Sequence, residues 1–414
     1  MEPMPSKLVA SAPARADFLN THQDYKGLPA VPVALDLRTH LTAKPADGNI
    51  ITVKSEDLER LHERSTDSFQ VKQNEILEKG FFGNYFRGAL NVIAELGVID
   101  RIRGLDITVR SNIPIGSGLA SSAALTVAFV ALLNKRFDLG YGRRELAEIA
   151  YLAESQRVGT RCGRLDQYGV TFGGVIKLDC KSPYTVEQLP FTNLTFAIAD
   201  SGVRHSTQDV HTERQTEINR GLKALMEDKA TPRELKNKLG YTYDQPKWLE
   251  ISEQDIEDFL SVLDEEAKRR ILFTLKMIGL TDVALKILRH ERVSEEEVVS
   301  NFGKETWSRV QEATSDEADY LLLGHAMNEQ QTLLRELYDV SLPKIEDMCT
   351  AAMAAGAYGA KISGAGMGGS IIALVKDEET GERVVNACQS VGAENGWVSR
   401  VAEGVRVGFQ ASSS

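Results

Sequence analysis

The pattern of apolar and polar residues predicts the main elements of the chain. Residues alternate over Gly104–Val109, which is typical of a β-strand, and the mostly apolar stretch Leu125–Phe137 predicts a buried helix. Arg143–Val158 has apolar residues at helical spacing and predicts another helix. A β-branched run predicts a strand at Ile371–Val375. Residues 207–320 combine helical spacing with dense charge, which indicates solvated helices.

The junction between the first predicted strand and helix has an unusual composition. Ile113–Ala128 is IPIGSGLASSAALTVA, a Gly-Ser-Gly turn followed by two serines. Glycine allows positive φ, and a helix N-terminus provides N–H groups and partial positive charge for an anion. The segment therefore predicts either a phosphate site or an ordinary strand–turn–helix junction in which Ser121 or Ser122 caps the helix.

The N-terminal segment Ala12–Gly27 carries many polar side chains between apolar runs. Arg15, Asp17, His22 and Asp24 are all charged or ionisable. A solvated turn and the wall of a polar pocket both fit this pattern. In a pocket, Asp24 and His22 would recognise hydroxyl groups, and Arg15 would bind an anion or orient another group.

Asp166 follows the apolar Leu165, directly after a turn that contains Gly163. Its position is compatible with an N-cap of the next helix. It is also compatible with a catalytic carboxylate beside a transferable phosphoryl group. Both alternatives remain open from this residue alone.

A second glycine-rich run, Ala360–Ser370, matches the pattern GxGxxG. The dinucleotide-binding fingerprint follows a first strand and opens a helix. Here the run lies near the C-terminus and leads into the predicted strand Ile371–Val375. We therefore reject the dinucleotide interpretation and predict a glycine-rich hairpin that lines a pocket.

Composition narrows the class of protein. The chain has 414 residues, which favours two lobes, and 42% of them are hydrophobic and 26% charged, as in a globular protein. A net charge of −11 without a basic stretch argues against non-specific nucleic-acid binding. Four cysteines without CxxC spacing suit a reducing compartment. No signal peptide and no apolar run of about 18 residues is evident, so a cytoplasmic protein is expected.

Two glycine-rich loops, Asp166 and a polar segment with Arg15 together indicate phosphoryl transfer, in which catalysis is positioning plus charge neutralisation. The P-loop pattern GxxxxGK[ST] is absent, and Gly303-Lys304 lacks its flanking residues. Protein-kinase HRD and DFG motifs are also absent. There is no HExxH motif, so a zinc site is not expected.

Four ordered blocks make the chain similar to the GHMP kinase superfamily, and within it to the galactokinase branch. The resemblance runs from about Ala12 to near the C-terminus and is weakest over residues 215–310. Smaller similarities lie at Asn84–Gly88 and Arg204–Ser206. The blocks are APARADFLNTHQDYKG, PIGSGLASSAA, AESQRVGTRCGRLDQYGVTFGG and GAYGAKISGAGMGGSIIALV.

The resemblance implies an α+β, two-lobed GHMP-kinase-like fold. Residues 1–195 would form a ribosomal-S5-like N-terminal lobe with the phosphate loop. Residues 196–414 would form a ferredoxin-like C-terminal lobe with a helical insertion. The resemblance also implies ATP and Mg²⁺ as cofactors and a small-molecule sugar as substrate, with no nucleic-acid or membrane partner. A monomer and a homodimer both fit.

Matching positions in these motifs imply roles for individual residues. Asp166 would act as general base or orienting charge, and Arg15 would stabilise the nucleophile or the transferred phosphoryl group. Ser122 and Glu154 would hold Mg²⁺. The residues implied at the nucleotide phosphates are Pro114, Gly116, Ser117, Gly118, Leu119, Ala120, Ser121 and Ser122. The residues implied at the sugar are Thr21, His22, Asp24, Cys162, Gly163, Gly364 and Gly366.

The chain departs from the galactokinase pattern at Thr21, where the family has a glutamate that is expected to contact the C6 end of the sugar. A neutral threonine would better accept a C6 carboxylate, or a pentose that lacks C6. The predicted activity is ATP-dependent phosphorylation of the anomeric hydroxyl of a galactose-like sugar. A uronic acid or arabinose 1-kinase, a mevalonate kinase and a non-catalytic galactokinase-like sugar sensor are the alternatives.

Overall fold

The structure, a computed structural model, describes residues 7–409 except 73, 161, 205 and 206. These residues form two compact units, each assembled from separate stretches of chain. The described residues of 1–15, 33–176 and 401–414 form the first unit, and those of 16–32 and 177–400 form the second.

Along the described chain, strands and helices are mixed in the N-terminal part, and a long helical segment follows before the chain returns to strands. The strands are β1 (Leu8–Leu19), β2 (Val31–Pro45), β3 (Ile50–Ser55), β4 (Thr66–Gln70), β5 (Leu105–Ser111), β6 (Val175–Leu178), β7 (Val186–Leu189), β8 (Thr195–Asp200), β9 (Gly359–Ser363), β10 (Ser370–Val375), β11 (Asn395–Arg400) and β12 (Arg406–Phe409). The α-helices are α1 (Glu56–Arg60), α2 (Gly83–Glu95), α3 (Ser121–Phe137), α4 (Arg143–Leu152), α5 (Leu165–Phe172), α6 (Thr207–Glu227), α7 (Arg233–Lys236), α8 (Glu253–Glu257), α9 (Glu265–Leu288), α10 (Glu295–Glu312), α11 (Ser315–Glu336), α12 (Pro343–Ala354) and α13 (Glu378–Ser390).

The sheet of the first unit has the strand order β12-β1-β2-β5-β3-β4. Strands β3 and β5 are parallel, whereas β2 with β5 and β3 with β4 are antiparallel. Leu8 of β1 pairs with Phe409 of β12, so the C-terminal strand returns to the sheet that contains the first strand. Strand β6 joins β2 through the pair Val33 and Val175.

Helix α3 lies at the centre of the helical layer of the first unit and contacts α2, α4 and α5. It is buried along most of its length because nearly all of its side chains are small or apolar, among them Ala124, Val127, Phe129 and Leu132, each 0% exposed. This packing holds the N-terminus of the helix at Ser121, immediately after the first glycine-rich turn.

The second unit contains an antiparallel sheet with the order β11-β8-β10-β9. Helices α12 and α13 pack on this sheet, and α11 contacts β9 and α9. One apolar core joins the sheet to the helices and includes Ile362, Ile371, Met348 and Phe273. A second cluster, around Trp248, stabilises the helical segment between α6 and α9.

Several elements predicted from the pattern are confirmed. The alternating stretch forms β5, and the apolar stretch lies within α3, which begins a few residues earlier, at Ser121. The helix predicted over Arg143–Val158 is α-helical only to Leu152 and continues as a π-helical turn, Ala153–Val158. The expected mixture of helices and sheets is confirmed.

The bounds of the two compact units differ from the predicted division into residues 1–195 and 196–414. The difference arises because β1 and β2 each continue from one unit into the other, and because β12 pairs with β1. Among the described residues, none of the helices is both long and apolar enough to span a membrane.

Candidate active site

The first glycine-rich segment forms a tight loop between β5 and α3. Gly116 and Gly118 have φ of 71° and 80°, values that favour glycine because a side chain is strained there. Ser117 is fully buried, and its hydroxyl donates to the carbonyl of Pro114 at 2.9 Å. The loop therefore has a defined backbone conformation that leads directly into the helix.

Helix α3 begins without a side-chain cap. Ala120 is the N-cap residue, with left-handed φ of 60°, and no side chain in the described part of the chain accepts a hydrogen bond in the capping position. The prediction that Ser121 or Ser122 caps this helix is wrong, because both residues lie inside its first turn. The uncapped N–H groups and the helix dipole make this end of α3 suitable for an anion.

Arg15 and Asp166 form an ion pair beside this loop. The Arg15 backbone N–H donates to the carbonyl of Leu119 at 3.1 Å, and its guanidinium contacts the Asp166 carboxylate. Arg15 is 5% exposed, whereas the Asp166 side chain is 29% exposed. Arg164, not Asp166, is the N-cap residue of α5, so the N-cap interpretation of Asp166 is wrong.

Glu154 lies in the π-helical turn after α4 and is 2% exposed. Gln167 donates from Nε2 to the Glu154 carboxylate at 2.9 Å, and the Ser122 and Thr126 hydroxyls also hydrogen-bond to it. Burial raises the pKa of Glu154, while these three hydrogen bonds act in the opposite direction. Interruptions of this kind in a helix are frequent at functional sites.

Tyr85 of α2 completes the surroundings of this carboxylate. Burial and the nearby charge of Glu154 raise the pKa of Tyr85 to about 12, and its hydroxyl hydrogen-bonds to Ser122. Cys162 is half-buried, with its sulfur 4.0 Å from the Gln167 amide nitrogen, whereas Gly163 is exposed. All four cysteines lie in the described part of the chain, and none is in a disulfide.

Thr21 in the second unit is 4% exposed and contacts a buried lysine. Lys361 of β9 donates from Nζ to the Thr21 hydroxyl at 2.8 Å. The same ammonium donates to the carbonyls of Asp17 at 2.9 Å and Ile362 at 2.7 Å. Thr21 therefore lies directly against a buried positive charge.

His22 is 4% exposed, with a left-handed φ of 65°. Its Nε2 donates to the carbonyl of Ala365 at 3.0 Å. The rings of His211 and Tyr338 lie 5.1 Å and 4.9 Å from the His22 ring. Burial, followed by the nearby charges of His211 and Lys26, lowers the pKa of His22 well below its usual value. The His22 side chain is therefore neutral near pH 7.

Lys26 is also fully buried, two residues after the half-buried Asp24. Its Nζ donates to the Thr274 hydroxyl at 2.9 Å and lies 4.8 Å and 4.9 Å from the ring centroids of Tyr338 and Phe273. Burial lowers the pKa of Lys26 well below its usual value, although the charge of Asp24 raises it. The segment of the first block thus provides buried cationic and aromatic groups.

The second glycine-rich run forms the turn of the antiparallel hairpin β9–β10, as predicted. Gly364 and Gly366 have φ of 100° and 79°, and a Cβ at Gly366 would clash with the carbonyl of Val340. The amide of Met367 donates to that carbonyl at 2.7 Å, and the amide of Gly369 donates to the Val203 carbonyl at 2.9 Å. This turn is therefore fixed by backbone contacts to neighbouring segments.

The predicted site residues occur in two groups, one in each unit. The first unit brings together Arg15, the loop Pro114–Ala120, Ser122, Glu154 and Asp166. The second unit holds Thr21, His22, Asp24, Gly364 and Gly366. The similarity at Arg204–Ser206 includes residues 205 and 206, which lie outside the described residues.

Among the contacting residues that were not predicted as site residues are Gln167, Lys361, Tyr85 and His211. Gln167 and Lys361 lie inside matched blocks, next to Asp166 and before the glycine run, so their position was a usable signal. Tyr85 lies in the smaller NYFRG similarity. His211 lies on a charged helix, and nothing in its sequence context distinguishes it.

Models of known families match the sequence in three places. A model described as "GHMP kinases N terminal domain" matches residues 84–174, and one described as "GHMP kinases C terminal" matches residues 312–394. A model described as "Galactokinase galactose-binding signature" matches residues 2–45. The last of these covers the segment with Arg15, Thr21, His22 and Asp24.

Known proteins agree with these matches. A galactokinase of Roseiflexus sp. (strain RS-1) is 30% identical over 379 residues, which cover 89% of this chain and 83% of the relative. A crystal structure of Lactococcus lactis galactokinase complexed with galactose has a TM-score of 0.74 at 22% identity, covering 97% of this chain and 95% of that one. A crystal structure of a mevalonate kinase has a TM-score of 0.63 at 17% identity, covering 95% and 98%.

The structural similarities define the fold as that of the GHMP kinases, and they include proteins with different substrates. The sequence similarity discriminates further within that fold. The chain belongs to the galactokinase branch of the GHMP kinase superfamily.

Proposed function

We propose that the chain is an ATP-dependent kinase that phosphorylates the anomeric hydroxyl of galactose to give galactose 1-phosphate. The observation that carries this proposal is the Arg15–Asp166 ion pair, which is joined through the Leu119 carbonyl to the loop before the uncapped helix α3. The uncapped end of α3, a carboxylate and a guanidinium are thereby held together, which supports phosphoryl transfer.

The loop and the first turn of α3 bind the nucleotide phosphates in this proposal. Their N–H groups and the helix dipole favour negative charge. The residues assigned to the phosphates are Pro114, Gly116, Ser117, Gly118, Leu119, Ala120, Ser121 and Ser122. Burial of Ser117 and the positive φ of both glycines support a preorganised cradle, because little order remains to be gained on binding.

Asp166 acts on the sugar hydroxyl, either by accepting its proton or by orienting it. The guanidinium of Arg15 contacts this carboxylate and supplies positive charge for the transferred phosphoryl group. The partial exposure of Asp166, against the burial of Arg15, supports a carboxylate accessible to substrate.

Ser122 and Glu154 would hold Mg²⁺. A hydroxyl and a carboxylate are hard oxygen donors, and Mg²⁺ is commonly bound by one or two carboxylates together with substrate phosphates and water. No group of three or more His, Cys, Asp or Glu side chains suited to a metal occurs within the described residues, which fits a cation that depends on phosphate oxygens. The cation would neutralise charge on the phosphates during transfer.

Sugar recognition is assigned to Thr21, His22, Asp24, Cys162, Gly163, Gly364 and Gly366. Asp24 provides hydroxyl acceptors, and the neutral His22 is held by the Ala365 carbonyl. Thr21 lies against the ammonium of Lys361, and a positive charge there would attract a C6 carboxylate. Sugars with a C6 carboxylate are therefore included among the acceptors to be tested. The intact loop and Asp166 argue against a non-catalytic sensor.

We assign the enzyme to the cytoplasm, as a monomer or homodimer, without nucleic-acid or membrane partners. The net charge of −11 and the absence of CxxC spacing among four cysteines support this assignment.

A substrate panel tests the proposed function. Purified protein with ATP and Mg²⁺ is assayed on galactose, galacturonate, glucuronate, arabinose and mevalonate, with the product identified by ³¹P NMR. We expect the highest kcat/KM on galactose and an anomeric phosphate as product. Turnover of mevalonate with none on any sugar would overturn the proposal, and ATP-dependent sugar binding without turnover would identify a sensor.

A further inference from the structure

Gln167 is fully buried and contacts Glu154, although no role has been assigned to it above. It follows Asp166 in the first turn of α5, so two consecutive side chains of this helix contact two different residues. Asp166 extends to Arg15, while Gln167 donates from Nε2 to the Glu154 carboxylate at 2.9 Å.

The contact with Glu154 decides which way the Gln167 amide faces. A carboxylate oxygen can only accept from this side chain, so the amide nitrogen must face Glu154 and the carbonyl oxygen must face away. That oxygen, Oε1, is buried and has no hydrogen-bond partner among the described residues. An unsatisfied buried acceptor is costly, and a water molecule is the donor that could satisfy it.

We propose that Gln167 is a positioning residue for the metal ligands, because its amide nitrogen holds the Glu154 carboxylate while its carbonyl oxygen accepts from a bound water. The inference rests on the proposed function, in which Ser122 and Glu154 hold Mg²⁺. Ser122 is held in turn by hydrogen bonds to Glu154 and Tyr85. Partners of this kind orient ligands and tune metal affinity.

The chain offers a matched control on the same helix. Thr171 of α5 is fully buried, and its hydroxyl is also without a hydrogen-bond partner in the described chain, so it makes no hydrogen bond to Glu154. Gln167→Met removes both polar atoms at nearly constant length, and Thr171→Val removes one at constant shape. Comparing the two variants separates an effect on the metal site from the general effect of replacing a buried polar side chain.

Binding of Mn²⁺ to the protein with a non-hydrolysable ATP analogue, followed by electron paramagnetic resonance, tests the inference without turnover. We expect Gln167→Met to raise the Mn²⁺ Kd by about 10-fold to 100-fold, as for other partners of metal ligands. Nucleotide affinity in EDTA and the KM for sugar should stay within twofold of wild type. Thr171→Val should leave all three quantities unchanged.

A Mn²⁺ Kd of Gln167→Met within twofold of wild type overturns the inference, as does an equal loss in Thr171→Val. If Gln167→Met does not fold, Gln167→Asn replaces it and is expected to weaken Mn²⁺ because the shorter amide withdraws from Glu154. Wild-type protein that binds Mn²⁺ with nucleotide but phosphorylates no sugar contradicts only the proposed function. Wild-type protein that phosphorylates sugar without a divalent cation overturns only this inference and the metal assignment.

Discussion

The two glycine-rich segments have similar sequences but leave different backbone groups available. The loop Pro114–Ala120 ends at the uncapped N-terminus of α3, where N–H groups remain for a ligand. In the run Gly364–Gly369, the amides of Met367 and Gly369 already donate to neighbouring carbonyls, and the Ala365 carbonyl accepts from His22. Glycine content alone therefore does not distinguish the two segments, whereas the presence of an uncapped helix N-terminus does.

The same contrast extends to the charged groups of the two units. In the first unit, Arg15 contacts Asp166 and the loop, and Glu154 contacts the first turn of α3, so the groups assigned to the chemical step lie there. In the second unit, Lys361 and His22 hold the segment assigned to the sugar. We therefore expect substitutions in the first unit to change phosphoryl transfer, and substitutions in the second to change substrate choice or stability.

The largest expected effect is on catalysis in the first unit. Asp166→Ala removes the carboxylate assigned to the sugar hydroxyl, and kcat on the best sugar should fall by about 10²–10⁴-fold. The KM for ATP should stay within about threefold of wild type, because the loop and α3 are unchanged. Steady-state kinetics with a coupled ADP assay provide both constants.

Asp100→Ala is the control, since Asp100 is a carboxylate in a surface ion pair with Lys72. It should keep wild-type kcat and KM. Unchanged turnover in Asp166→Ala would show that the catalytic assignment is wrong.

The two glycine-rich segments should respond differently to alanine. Gly366→Ala should lower the free energy of unfolding by about 2–4 kcal/mol, because a Cβ clashes with the Val340 carbonyl at a positive φ. Gly118→Ala should cost only about 1–2 kcal/mol but raise the KM for ATP on the order of 10-fold or more, because it displaces the loop assigned to the nucleotide phosphates. Urea unfolding and ATP kinetics measure the two effects.

Gly97→Ala is a matched control, because Gly97 has φ of 79° and no described atom lies within 4 Å of its Cβ position. Its loss of stability should be about 1–2 kcal/mol, from backbone strain alone. If Gly366→Ala raised the KM for ATP as strongly as Gly118→Ala, the contrast between the two segments would be lost.

Substrate choice should change at Thr21. A carboxylate introduced by Thr21→Glu would pair with the buried Lys361 ammonium and repel a sugar carboxylate. The ratio of kcat/KM for galacturonate to that for galactose should fall by about tenfold, which corresponds to about 1.4 kcal/mol.

Thr21→Ser retains the hydroxyl acceptor and should leave this ratio unchanged. A rise of the ratio in Thr21→Glu would refute the C6 argument.

The smallest effect is a pH dependence of stability in the second unit. Burial lowers the pKa of His22, so the folded state binds fewer protons than the unfolded state below about pH 6.5. The stabilisation from neutral His22 is thus present above that pH and is lost as pH falls. Between pH 7 and 5.5, His22→Gln should lose about 1 kcal/mol less stability than wild type.

His211, Lys26 and Lys361 also disfavour the charged form of His22, so the effect should persist in low salt. The exposed His62 is the control position, and His62→Asn should retain the wild-type pH dependence of urea unfolding. Equal pH dependence in His22→Gln and wild type would show that His22 is not held neutral.

Much of the fold was predictable because its signals are local. Alternation identified β5, and a run of small apolar residues identified α3, whose burial follows from its composition. The end of α4 was not predictable, since the π-helical turn at Glu154 has no periodicity of its own. The helix cap was predicted wrongly because serine favours N-caps on average, while here Ala120 adopts the left-handed conformation.

The sequence by itself determined the family and the positions of the glycine-rich segments. It also singled out Arg15, Glu154 and Asp166 as candidate site residues, because motif order and residue type are properties of the chain. Only the tertiary structure decided which of these groups pair. Arg15 and Asp166 lie 151 positions apart, and Lys361 and Thr21 lie 340 positions apart. Such contacts depend on how strands and helices pack, as does the burial that leaves the Gln167 carbonyl oxygen without a partner within the described residues.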